Sequence, residues 1–210
     1  VKQIAMATTL EIDLEKVAEP LLFPGFTWQK FKAVEPLLDV PGVRVSFLDG
    51  VLEIRRMPGK KHEVVKKRIG ILIEAYLEIA GIPHTPTGSI TLESESGLVR
   101  READESYEIG ENRDRPDLAI EVVVTSGGIN KLEAYKRLQI SEVWFWEKEG
   151  LSSYALQIDG YESIQQSRVL PNLDLQLLTK ALNEPTHLKA VREFREAVSE
   201  TIRSNESGQS

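Results

Sequence analysis

The stretch from Arg115 to Tyr135 constrains this chain more than any other. It opens with Arg115-Pro116-Asp117 and continues Leu118-Ala119-Ile120-Glu121-Val122-Val123-Val124-Thr125, an apolar run holding one carboxylate. A run of this length, rich in β-branched residues, reads as a strand buried on both faces. Ser126-Gly127-Gly128 then marks a turn, and Asn130-Lys131-Leu132-Glu133-Ala134-Tyr135 opens a helix with a lysine. A second buried strand is expected over residues 142–147, centred on Val143-Trp144-Phe145-Trp146. Strand, helix and strand with short joins imply a right-handed crossover and a parallel pair. Glu121 is the anomaly, because an unpaired carboxylate in apolar surroundings is expensive.

The rest of the chain supplies elements around this unit. The pattern predicts a helix over 27–38, with Thr27 as N-cap and Pro41-Gly42 beyond its end. Residues 44–57 alternate around Leu48-Asp49-Gly50, a hairpin signal. A helix over 61–80 stops at Gly81 and carries Val65, Ile69, Leu72, Ile73, Tyr76 and Ala80 on one face. At about 100° per residue, His62 falls near that face and Glu63 well away from its centre. Short strands are expected at 89–93, 97–101 and 106–109, and a hairpin at 151–157 and 161–166 around Asp159-Gly160. Helices over 173–182 and 186–202 follow, the second with a stripe of Leu188, Val191, Phe194, Val198 and Ile202. The expected organisation is an N-terminal tail (1–26), one domain (27–183), a C-terminal helix (184–203) and a disordered polar tail (204–210).

Composition narrows the chemistry. The chain has no cysteine, which removes disulfides, zinc fingers and cysteine nucleophiles and suits a reducing cytoplasm. With three histidines, His62, His84 and His187, a metal would be a hard cation held by carboxylates. No apolar run reaches membrane-spanning length and the N-terminal stretch has no leader-like apolar core, so a cytoplasmic protein without a membrane partner is expected. Net charge is −7, so bulk attraction to nucleic acid is not expected. The charge is uneven: residues 55–68 are mostly basic and 102–121 mostly acidic. Read alone, the basic run is a solvated helix face. Beside an acidic, metal-attracting pocket it would suit a phosphodiester.

Strand alternation places Glu121 on one face with Asp117, Ala119 and Val123. Asp104 ends an acidic run just before the strand at 106–109. If that strand neighbours 118–124, Asp104 and Glu121 converge, and two close carboxylates repel unless a cation sits between them. Mg²⁺ or Mn²⁺ would neutralise the pair, polarise a phosphate and activate a water. Lys131 has a stem long enough to return to this pocket. Singly, Asp104 reads equally well as surface, Lys131 as an exposed first-turn residue and His62 as a satisfied core histidine. The combination carries the signal.

The segments Pro116-Asp117-Leu118-Ala119-Ile120-Glu121-Val122, Thr125-Ser126-Gly127-Gly128, Lys131-Leu132-Glu133-Ala134-Tyr135 and Ser141-Glu142-Val143-Trp144 resemble the Uma-type restriction endonucleases of the PD-(D/E)XK nuclease superfamily. Met57-Pro58 with Lys61-His62-Glu63, the stretch Glu102 to Tyr107, and Leu170-Pro171-Asn172-Leu173-Asp174 extend the resemblance over residues 27–182. It implies an α/β, restriction-endonuclease-like mixed central sheet flanked by helices, with an N-terminal helix–hairpin extension and C-terminal helices. It also implies Mg²⁺-dependent hydrolysis of DNA, with Asp104 and Glu121 as metal-binding acids and Asp117 only opening the strand. The superfamily lysine would stand at Val123, and its place falls to Lys131. Glu63 or His62 would complete the site. A two-fold partner is expected of an enzyme that cuts both strands of a duplex. The competing reading is a non-catalytic module on the same fold that binds nucleic acid or protein, suggested by the missing lysine at 123 and the acidic charge. A third is a dimerisation scaffold built on the amphipathic helix at 186–202.

Overall fold

Asp49 and Gly50 have φ of 50° and 85°, the left-handed pair that a tight two-residue hairpin turn requires. They join β2 (Val43–Leu48) to β3 (Val51–Arg56), as the alternation predicts. The computed structural model describes residues 19–57, 59–123 and 128–207. Around the hairpin forms an antiparallel sheet that also includes β1 (Leu21–Pro24), β5 (Thr91–Ser94) and β6 (Val99–Glu102), in the order β1-β3-β2-β6-β5. Helix α1 (Trp28–Leu38) covers it, capped by Thr27 Oγ1 accepting from Lys30 N–H. Phe31 and Phe47 stack there at 4.9 Å, with Trp28 against both.

The second sheet runs β11-β10-β9-β8-β7-β4. Its centre is β8 (Leu118–Val123), antiparallel to β7 (Glu105–Ile109) and parallel to β9 (Glu142–Glu147), with α3 (Lys131–Arg137) as the crossover. The expected βαβ unit is therefore present. Residues 124–127, which include Val124 of the expected strand and most of the turn, lie outside the described residues, as does Pro58. β10 (Gly150–Leu156) and β11 (Tyr161–Ile164) form the expected hairpin at one edge, and β4 (His84–Pro86) lies at the other.

Alternation along β8 divides the core. Leu118, Ile120 and Val122 face α2 (Lys60–Ile79), α4 (Leu175–Asn183) and α5 (His187–Ser207). Ala119 faces α3, through Ala134, Tyr135 and Leu138. On α2, Ile69, Leu72, Ile73 and Tyr76 are buried as the helical spacing requires, with Val65 and Ala80 packed beside them. Among the described residues, no helix is long and apolar enough to cross a membrane.

Several expectations change. The expected mixed sheet flanked by helices is the six-stranded one, and the N-terminal helix and hairpin are present beside it; what was not expected is a second sheet, formed because β5 and β6 pair with that hairpin. The supposed tail 1–26 contains β1, whose residues pair with β3. Both unforeseen strands, β1 and β4, are short edge strands ending in proline, and an edge tolerates proline where a centre does not. Helix α4 starts at Leu175, not 173, because Asp174 is its N-cap and accepts from Gln176 and Leu177 N–H. Helix α5 continues to Ser207, so 204–207 are not a disordered tail; no glycine or proline interrupts it before Gly208. Its stripe does not face outward as a free surface: Phe194 and Val198 are buried and Val191 and Ile202 pack on the same core, while Leu188 stays exposed.

Candidate active site

The chain crosses from the first sheet to the second at Ala103-Asp104, between β6 and β7. Asp104 therefore sits where the two sheets meet, and it is 2 % exposed. Its backbone N–H donates to the Ile120 carbonyl and its Oδ2 accepts from Val122 N–H at 2.8 Å, which fixes the carboxylate beside the middle of β8. Arg44 of β2 donates to Oδ1 at 2.5 Å, and His62 Nε2 lies 2.9 Å from Oδ2. Burial alone would raise the Asp104 pKa. The hydrogen bond and electrostatic attraction of His62, the Arg44 charge and the Val122 N–H outweigh burial and hold it well below the usual carboxylate range.

Glu121, fully buried in β8, is surrounded by three donor side chains from two elements. Arg101 of β6 gives Nε and Nη2 to Oε1 at 2.9 and 2.7 Å. Tyr135 Oη donates to the same oxygen at 2.6 Å, and Lys131 Nζ donates to Oε2 at 2.9 Å. Burial pushes the Glu121 carboxyl up and the Asp104 charge adds to this, but Arg101 and Lys131 prevail and bring it down to about 2. Lys131 is shifted the other way: burial, with Arg101 and Arg55 nearby, lowers its pKa against the pull of Glu121. Burial and the Glu121 charge keep the Tyr135 phenol protonated, well above its ordinary range.

Sequence-predicted residues thus gather as follows. The strand that follows Asp104, β7, neighbours the strand that carries Glu121, and both carboxylates lie at the same seam. Lys131 reaches Glu121 from the first turn of α3, the expected long return of its stem. Of the two α2 candidates, His62 is buried against Asp104, whereas Glu63 is exposed and touches the site through His62 Nδ1, 3.1 Å from its Oε1. Asp117 is elsewhere: it accepts from Ile109 N–H and from Arg113, at the opening of β8.

Four residues were not anticipated. Arg44, Arg101, Glu53 and Tyr135 are all buried around the two acids. Arg101 had a signal, since it shares the inward face of β6 with Val99. Tyr135 had one too, standing one helical turn after Lys131. Glu53 sits inside β3, 2 % exposed, and accepts from Ile129 N–H at 2.8 Å. Nothing local marks Arg44.

The expectation that a cation must separate the two acids is revised by these neighbours: the carboxylates are already compensated by Arg44, Arg101 and Lys131. Among the described residues, no cluster of three or more His, Asp or Glu side chains is arranged for a metal. The donor chemistry still suits a hard divalent cation. Asp104 Oδ1 and Glu121 Oε2 each accept one protein hydrogen bond, which leaves each a lone pair.

None of the curated proteins compared with the chain matches it. A family model does match, over residues 28–189. That span starts at α1, includes both sheets apart from β1 and every site residue named above, and ends just inside α5. The chain belongs to the Uma2 family, described as "Putative restriction endonuclease".

Proposed function

We propose that this protein is a metal-dependent endonuclease that hydrolyses phosphodiester bonds in DNA. The observation that carries the reading is the lysine of α3 standing 2.9 Å from the lone acid of β8, beside a second buried acid just before the adjoining strand. Family membership supports nuclease chemistry, and the two-acid, one-lysine set supports its location. Asp104 and Glu121 would hold Mg²⁺ or Mn²⁺. When bound, such a cation supplies Lewis-acid stabilisation of the phosphate and eases deprotonation of water.

The chain's own residues do the rest. Asp104 is oriented by Val122 N–H and by His62, and Glu63 steadies the imidazole from its other nitrogen. Glu121 is oriented by Tyr135 and Arg101. Lys131, partly desolvated and with a lowered pKa, is placed to orient the attacking water or stabilise charge on the phosphate. The basic residues at the start of α2 lie beside this seam, where His62 enters it, and suit a DNA backbone. A two-fold pair of chains would let both strands be cut.

The test is nicking of supercoiled plasmid and single-stranded DNA with Mg²⁺, Mn²⁺ or EDTA, comparing wild type with Glu121→Gln. Metal-dependent nicking that the variant loses supports the reading; nicking that survives in Glu121→Gln refutes this centre. One observation favours a second reading. Arg44, Arg101 and Lys131 neutralise both acids without a metal, as expected of a catalytically decayed module on this fold that binds nucleic acid or protein. Such a module would take up no Mn²⁺ in a titration.

A further inference from the structure

Glu53 is a buried acid for which the reading above has no task, and unlike Glu142 it has an oxygen that accepts no hydrogen bond. Its Oε2 is fixed by Ile129 N–H, and its Oε1 accepts no hydrogen bond. That free oxygen lies 3.8 Å from Arg101 Nη1 and 3.8 Å from Arg55 Nε. Both nitrogens are themselves buried without a hydrogen-bond partner. Leaving buried polar atoms unmade costs about 1–3 kcal/mol each, yet here a carboxylate oxygen and two guanidinium nitrogens face one another just beyond bonding distance. A shift of about 1 Å would bring Arg101 and Glu53 into an ordinary hydrogen bond.

Arg101 is fully buried between two carboxylates and is bonded to one of them, Glu121. Arg44, which neutralises the other site acid, is already shared: it bonds Asp104 and, through Nη2 at 3.0 Å, Glu102. Each site acid thus has a guanidinium partner, and each guanidinium has a second carboxylate within reach. A divalent cation approaching Glu121 meets the Arg101 charge on the same carboxylate, and like charges at that range repel strongly in a desolvated site.

We propose that Glu53 is a positioning residue, the second acceptor for Arg101, which draws the guanidinium away from Glu121 when a divalent cation engages Asp104 and Glu121. This rests on the metal-dependent reading of the site. Glu53 is held for the purpose: Gly128 has φ of 96°, and a Cβ there would lie 2.2 Å from Glu53 Oε2, so the glycine makes room for the carboxylate that leaves Oε1 facing Arg101.

The test is calorimetric titration of the DNA-free protein with Mn²⁺. Wild type should bind, and Glu53→Gln should bind about tenfold more weakly, the scale for one unit charge in partly desolvated surroundings. Thermal melting without metal verifies that the variant is folded. A double-mutant cycle with Arg101→Gln separates this role from a merely structural one: without the guanidinium, Glu53→Gln should change Mn²⁺ affinity little. Should Arg101→Gln fail to fold, Arg101→Lys, which lacks the fork, takes its place in the cycle. Wild-type affinity in Glu53→Gln overturns the proposal and leaves the metal reading standing. An equal loss with and without Arg101 also overturns it. Absence of Mn²⁺ binding by wild type overturns both.

Discussion

Lys131 Nζ donates to Glu121 Oε2 at 2.9 Å, from a helix that begins ten residues after that acid. The lysine is not on the strand at all, and it reaches the carboxylate because α3 packs back over β8 through Ala134 and Tyr135. Lys131→Met should lower metal-dependent cleavage by about 10²–10³-fold, as loss of one charge-stabilising donor does, while Mn²⁺ binding persists. Single-turnover cleavage and Mn²⁺ calorimetry on the same preparation check this. Cleavage at the wild-type rate would remove Lys131 from the mechanism.

Acid should destabilise the fold through the two site carboxylates. Glu121 drops from an ordinary 4.5 to about 2, and Asp104 is held low as well. A folded-state pKa below the unfolded one contributes stability above the unfolded value, and that contribution disappears as pH falls through the folded value. The loss should fall between about pH 5 and pH 2 and amount to a few kcal/mol. Urea unfolding at stepped pH should show a shallower decline across this window for Glu121→Gln than for wild type. Parallel curves would mean that Glu121 is not ionised preferentially in the fold.

Gly128→Ala should be destabilising by about 1–3 kcal/mol, from left-handed backbone strain and a forced displacement of Glu53. The new Cβ would otherwise stand 2.2 Å from Glu53 Oε2. Denaturant midpoints of the two proteins give the comparison. Equal midpoints would show that the 128–129 segment adjusts freely.

His62 and Glu63 should separate by size of effect. His62 touches Asp104, and Glu63 reaches the site through His62, its other partner being Lys66 at 3.5 Å. Removing a residue that orients a metal-binding carboxylate costs about 10–100-fold in affinity or activity. His62→Ala should fall in that range and Glu63→Ala well below it, measured as cleavage rate against Mn²⁺ concentration. The reverse order would make Glu63 the helix's direct contribution.

Glu142 provides the control. It is fully buried, yet its oxygens accept from Trp144 Nε1 at 2.6 Å and from Arg168 and Val169 N–H. It is a structural carboxylate that ties β9 to the segment before α4. Glu142→Ala should cost about 3 kcal/mol or more, by leaving those donors unpaired, and leave Mn²⁺ affinity unchanged. Unfolding and Mn²⁺ titration of the variant test both halves; weakened Mn²⁺ binding in a folded variant would contradict this assignment.

How much was readable in advance follows from sequence distance. Glu121 and Lys131 lie within one βαβ unit, and Asp104 directly precedes the strand paired with β8, so strand alternation and the reach of a first-turn lysine were enough to bring them together, though not to single out Tyr135 one turn further on. The bare count of acids nonetheless suggested a pocket in need of a cation. Arg44 and Arg101 altered that picture, and they come from a sheet whose pairing with β5 and β6 no local pattern announces.

The sequence by itself determined the strand–helix–strand unit, the acid buried in it and the lysine after it, because periodicity and turn chemistry act over a few residues. Only the tertiary structure decided that the acids sit at a seam between two sheets, already paired with Arg44 and Arg101, and that Glu53 waits 3.8 Å from Arg101. The reason is physical. A buried charge is tolerable only beside its counter-charge, and which counter-charge that is depends on where distant strands come to lie.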